Sequence, residues 1–292
     1  MTSLAQPEPL GPPLPRRSLA RRRLWNSLVL GTCVFAAAVL CVPIALMVWH
    51  LFLNGLPQLR PGFFVHEPKP VGEPGGGMAN AIVGTLILVG IGTAIAVPVG
   101  VGAGLYLAEY GESRFANSLR YAVDVLGGVP SIVVGVAAYG MIVLPMGHFS
   151  ALAGGVALGI LMLPTIIRST EEVVRLVPQS YRQAALALGA PRWRVVQEVV
   201  LPAAGAGITT ATMLSIARAA GETAPLLFTA LGNRFWSVKL DRPIASLPVM
   251  IYDYARSPYP DWNAQAWTGA LVLFLLITLL AGIMRWSTRR IR

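Results

Sequence analysis

The segment RLVPQSYRQAALALGAPRWRVVQEVVLP, Arg175 to Pro202, interrupts long apolar runs with polar and basic residues, and its reading decides that of the whole chain. Its pattern predicts two short helices joined by a kink. Ser180 stands where a helix cap belongs, and Gln183, three residues on, has the reach of the reciprocal partner in a capping box. Ala184, Ala185, Leu186, Ala187 and Leu188 favour helix, and Gly189 falls where a C-terminal cap closes one. Pro191 suits the first turn of a second helix, Trp193, Val196, Val199 and Val200 give it an apolar stripe, and Pro202 marks its end. A helix of about eight residues is roughly 12 Å long and marginal alone, so it needs a surface to dock on. Small Ala184 and Ala185 let a groove approach the backbone, while Arg182, Arg192 and Arg194 supply positive charge. On the residues alone, a loop lying on the membrane surface remains the alternative.

The surrounding chain is that of an integral membrane protein. Of its 292 residues 55% are hydrophobic and only 12% charged, against about 25% charged in ordinary soluble domains, and mean hydropathy is +0.63. About six apolar runs, near 24–53, 78–107, 121–144, 151–167, 203–231 and 267–284, are long enough to cross a hydrocarbon core about 30 Å thick. The apolar residues come in blocks rather than in alternation, which excludes a β-barrel. The expected organisation is a disordered, basic tail over 1–23, then one all-α transmembrane domain over 24–292, with the polar loop at 175–202. The first run is too long for a cleaved signal core and is taken as a span. With a net charge of +10 the chain could suggest nucleic acid, but its basic residues cluster at the ends of apolar runs and report topology instead. Placing both termini and the 175–202 loop in the cytoplasm puts sixteen of the lysines and arginines inside and six outside. Cys33 and Cys41 both lie in the first run, and His50, His66 and His148 are scattered, so neither a disulfide framework nor a metal site is expected.

Three features inside the apolar runs carry information. Gly100, Gly102 and Gly104 read as close helix packing, since no strand precedes them and no lysine follows as a phosphate loop requires. The run Val129-Pro130-Ser131-Ile132-Val133-Val134-Gly135 predicts a bent third span, with Asp124 near its inner boundary as a snorkelling or Arg120-paired carboxylate. The fifth run contains Arg218 and Glu222, placed i and i+4 on one helix face. A charge at a helix centre costs about 2.5 to 3.5 kcal/mol even on the lenient scale, so the pair needs a reason. Either the two neutralise each other and fix packing, or they line a polar path. In the second case Arg218 offers its planar fork to a tetrahedral oxyanion, Thr223 adds a hydroxyl, Glu222 holds the arginine in the absence of an anion, and Gly221 and Pro225 loosen the helix.

Gln183-Ala184-Ala185, three residues, Gly189, nine residues, Val199, one residue and Leu201-Pro202 together resemble the EAA loop of ATP-binding-cassette (ABC) importer permeases. Gln183 stands where that family usually has Glu, and Val199 where it usually has Ile. The Val129 to Gly135 run resembles a motif of the phosphate-specific permeases of the PstA and PstC types, and the Ala217 to Leu231 segment, Phe235-Trp236-Ser237 and Ser246 to Tyr252 resemble the PstA type; with the loop, the resemblance spans roughly residues 86–284. The resemblance implies a type I ABC importer permease fold whose 175–202 loop is a cytoplasmic coupling helix, with Gln183, Ala184, Ala185, Gly189, Val199, Leu201 and Pro202 meeting an ATPase. It implies ATP-driven alternating access in the bacterial inner membrane, in which Arg218, Glu222 and Thr223 line the substrate path. On this reading a proton of phosphate can bond to Glu222, which fully ionised sulfate cannot do. The implied partners are a homologous PstC-type permease, a PstB-type ATPase dimer that binds ATP and Mg, and a PstS-type phosphate-binding protein, with no cofactor on this chain. Rival readings are a permease for sulfate or molybdate, and an ATP-independent channel or secondary transporter. A membrane-embedded enzyme is disfavoured by the lack of a nucleophile and base.

Overall fold

The computed structural model describes residues 16–73 and 75–289. The chain divides into two compact units, 1–52 and 53–292. The first unit is most of one helix, α1 (Arg16–Gly55), whose side chains are exposed from Arg21 to Met47. A helix apolar on every side has no preferred protein-facing stripe and suits lipid. The basic residues from Arg16 to Arg23 belong to this helix rather than to a disordered tail, which corrects that part of the expectation. The rest of the expected tail lies outside the described residues.

The second unit is built on α2 (Ala79–Glu109) and α5 (Ala151–Arg175). They meet along a stripe of small residues. A Cβ at Gly92 would sit 3.1 Å from the Gly155 carbonyl oxygen, one at Gly155 would be 2.5 Å from Ile91, and one at Gly104 would be 2.6 Å from Thr170. Glycines four and eight residues apart keep returning to the same helix face, and there the backbones approach closely. Gly100 and Gly104 lie on this stripe, so two of the three glycines singled out in the sequence pack helices, whereas Gly102 faces open space. Around the pair stand α7 (Arg192–Ala220), the short α8 (Ala224–Thr229), α9 (Leu247–Ala255) and α10 (Pro260–Arg289). Leu88, Leu158, Leu226 and Ile244 form one core layer and Ala96, Met162, Ile166 and Ala219 the next. Among the described residues there is no strand, only an isolated bridge between Leu231 and Ile244.

The third apolar run is bent where the sequence places the bend, at Val129 and Pro130. It is α3 (Arg114–Gly128) and α4 (Ser131–Met146), turned by 104°. Proline forces its predecessor into extended backbone, and Val129 has φ −71° and ψ 129°. Ser113 caps α3 by accepting from the Ala116 amide at 3.1 Å. Among the described residues five helices are long and apolar enough to cross a membrane, six if the bent pair counts as one.

The fifth run differs from the expectation. Pro202 does not end the second helix of the polar loop. The helix passes through a wide turn at Val196–Val200, where the Leu201 amide reaches back to the Val196 carbonyl, and continues as α7 to Ala220. A widened turn is one way a helix accommodates a residue that cannot donate. The break comes later, at Gly221 to Thr223, before α8 begins at Ala224.

Candidate functional site

Two regions gather the residues that the sequence singles out. The first is α6 (Gln179–Ala187), at the end of the bundle where α2 and α5 terminate. Pro178, at φ −56° and ψ 139°, breaks the chain away from α5 and precedes α6 directly. Ser180 therefore sits inside the first turn, no side chain caps the helix, and the expected capping box is not formed. The far end closes as expected: Gly189 has φ +83°, its amide donates to the Leu186 carbonyl at 2.9 Å, and the Ala190 amide donates to Ala185 at 3.2 Å.

Arg182 was expected among the surface charges, and the structure corrects this. It points inward from α6 and is buried. Its guanidinium donates to Glu109 Oε1 from Nε at 3.1 Å and from Nη2 at 2.8 Å, to the Val177 carbonyl at 2.5 Å and to the Val174 carbonyl at 3.0 Å. One side chain thus fastens α6 to the last turn of α2 and satisfies carbonyls at the end of α5, where a helix also favours positive charge. Ala185, Val199 and Leu201 face the same way and pack on the cluster of Val174, Val177, Val195 and Val200. Gln183, Ala184, Gly189 and Pro202 are exposed, with Tyr181, Leu186 and Leu188, the last 90% exposed at the tip. Beside them lies a cleft of about 290 Å³ bordered by Glu109, Arg175, Arg182, Gln183, Leu186 and Arg192. The sequence motif is therefore divided between residues that hold the base of α6 and residues that form a small, apolar, knob-like surface.

Of the two readings of Asp124, the pairing with Arg120 is not formed. Asp124 meets Arg168 rather than Arg120, with Arg168 Nε to Asp124 Oδ1 at 2.8 Å and a second bond from Nη2 to Oδ2. Arg120 donates instead to Glu171, from Nε to Oε1 at 2.6 Å. Glu171 is 2% exposed and also accepts from Arg175 at 2.7 Å and Arg168 at 3.3 Å. The spacings of Arg168 and Arg175 from Glu171 would place them on one helix face. Nothing in the sequence pairs Arg120 with a residue 51 positions away.

The second region is the break after α7. Arg218 lies in the last turn of α7, not at a helix centre, and Glu222 lies past the closing Gly221. The two still meet, Arg218 Nε to Glu222 Oε1 at 3.7 Å. They differ in exposure: the Arg218 side chain is 72% exposed on the surface of this chain, whereas that of Glu222 is 17% exposed. A pair this long and this open is loosely held, which leaves the guanidinium fork available to another acceptor. Thr223 is half-buried, and its carbonyl starts α8 by accepting from Leu226 at 3.2 Å and Leu227 at 3.3 Å. Pro225 lies against α4, where a Cβ on Gly135 would come within 2.6 Å of its Cα. The region is a polar break in the bundle, with one cation presented outward and one carboxylate behind it.

Residues 100–292 match the family described as binding-protein-dependent transport system inner membrane component. The chain is 44% identical over 269 residues to the phosphate transport system permease protein PstA of Yersinia pestis, covering 91% of this chain and 90% of that one. It is 42% identical to the PstA of Haemophilus influenzae, with 88% and 91% covered, and 36% identical to the PstA 1 of Mycobacterium tuberculosis, with 100% and 98% covered. Among solved structures, a chain of the MetNI methionine ABC transporter in an inward-facing conformation superposes with a TM-score of 0.63 at 18% identity, covering 74% of this chain and 96% of that one. At that identity the likeness concerns the fold.

Proposed function

We propose, from the premise that the chain belongs to the binding-protein-dependent transport system inner membrane components and to the PstA phosphate transport permeases among them, that it is the subunit through which an ATP-driven importer moves inorganic phosphate into the cytoplasm. The observation that carries the coupling half of this reading is α6, a short helix clasped at its base by Arg182 and presenting Gln183, Ala184, Leu186 and Leu188 outward. So small a helix gains nothing by standing off the bundle unless a groove receives it, and an ATPase that closes on ATP supplies both the groove and the force. The ATP and its Mg belong on that separate subunit, of PstB type and in two copies. Both termini and α6 lie in the cytoplasm on this reading, as the distribution of arginines supports.

The path half rests on Arg218. Its fork faces away from its own chain, which suits a pore closed by a second, PstC-type permease, with a PstS-type protein delivering phosphate from outside. Arg218 would take the anion by two parallel hydrogen bonds as it leaves Glu222, and Thr223 would add a third donor. Alternating access then follows from the exposure of this break to one side or the other as the ATPases close and open.

The test is copurification with the ATPase. A Cβ at Gly189 would meet nothing within 4 Å in this chain, and aspartate tolerates the left-handed backbone at φ +83° better than most residues. The expected result is a variant that reaches the membrane at the parental level but retains at least tenfold less ATPase. A variant that keeps the ATPase, or a parent that transports without one, would overturn the assignment of α6.

A further inference from the structure

Arg182 has a counterpart. From α3, Arg120 donates to the Leu107 carbonyl at 2.8 Å and the Gly111 carbonyl at 2.8 Å, around the end of α2, and to Glu171 on α5 at 2.6 Å. Two arginines, one on the docking helix and one on the bent span, therefore grip the same end of the same α2–α5 pair. That pair is welded by its glycine stripe, and Gly111 itself has no room for a Cβ, which would fall 2.1 Å from the Arg120 guanidinium. A displacement applied at α6 thus reaches α3 through a stiff element. Beyond α3 the chain turns by 104° into α4, and α4 bears through Gly135 on Pro225, two residues after Thr223.

We propose that Arg120 and Glu171 are positioning residues that carry the movement of the docking helix to the break beside Arg218. The proposal rests on the reading of α6 as the ATPase contact. Glu171 is suited to the role because it is buried and its carboxylate is shared by Arg120, Arg168 and Arg175, so its geometry is fixed from three sides. Between α3 and α5 there is also the apolar cluster of Ala116, Val123 and Ile167, which is not directional, and a second ion pair, Asp124 to Arg168, whose side chains are 54% and 34% exposed and which is the weaker hold. Without the buried clasp, α6 and the α2–α5 pair still follow the ATPase, but α3 and α4 do not follow them, so ATP is consumed without transport.

The experiment compares Glu171→Gln, Glu171→Asp, Arg120→Lys and Asp124→Asn chains in the complete complex with both permeases, the ATPase and the binding protein. It measures phosphate carried per ATP hydrolysed, at equal amounts of assembled complex. Arg120→Lys keeps the charge but lacks the fork that serves two carbonyls and a carboxylate together. Glu171→Gln and Arg120→Lys are expected to lower the ratio at least fivefold with hydrolysis retained, Glu171→Asp to recover at least half of it, and Asp124→Asn to stay within twofold of the parent. A parental ratio in assembled Arg120→Lys complexes overturns the proposal, including the case where Glu171→Gln fails to assemble. A parent chain that does not retain the ATPase overturns the reading beneath it as well.

Discussion

Arg218→Ala is expected to lower phosphate uptake about a hundredfold while leaving assembly with the ATPase and the other permease unchanged. The argument starts from exposure. The Arg218 side chain is 72% exposed on this chain, so its removal disturbs little packing, and the contact it takes from Glu222 is a loose one at 3.7 Å. On the proposed reading its charge-assisted bonds to an oxyanion would be worth about 1.5 to 3 kcal/mol each, and losing a forked pair of them about 3 kcal/mol or more, two decades in rate. Arg218→Lys keeps a cation but not the planar fork, so it should fall between the two. Uptake at the parental rate in the alanine variant, at equal protein level, would make Arg218 a structural residue and move the substrate path elsewhere.

Gly104→Leu is expected to abolish the folded chain. A Cβ there would lie 2.6 Å from the Thr170 Cβ and 2.7 Å from the Ile167 carbonyl oxygen, and the second of these is backbone that cannot rotate away. Overpacking costs typically about 1 to 3 kcal/mol where side chains can shift. Here α2 and α5 must separate along their whole contact, so the loss exceeds about 3 kcal/mol. Gly102→Leu is the control, two residues along the same helix on its exposed side, with nothing within 4 Å. Thermal unfolding of the detergent-extracted chains should show a large drop, or no recoverable protein, for Gly104→Leu and little change for Gly102→Leu. Equal effects from both would mean that glycine is needed there for backbone freedom and not for close approach.

These two sites mark the range of what the sequence discloses. The helical membrane architecture follows from blocks of apolar residues, and the α2–α5 packing follows from glycines at a spacing of four, because both are local patterns with one physical cause. The short helix α6 was legible too, through Gly189 and the small residues before it. Its start was not, since Pro178 ends α5 and opens α6 in one step and leaves Ser180 no cap to make. Pro202 misled for a related reason: a proline stops a regular helix, but a wide turn ahead of it lets α7 run on. The charge pairs were the least legible. Arg182 to Glu109 and Arg120 to Glu171 join residues 73 and 51 positions apart, and only the fold brings them together. A basic residue next to a docking surface reads as part of that surface until its burial is known.

The most direct measurement is uptake of labelled phosphate, with excess sulfate as competitor, into vesicles holding this chain with a PstC-type permease, a PstB-type ATPase and a PstS-type binding protein. ATP-dependent phosphate accumulation that resists sulfate is the expected result. An assembled complex that hydrolyses ATP but carries no phosphate, or carries sulfate in its place, would contradict it.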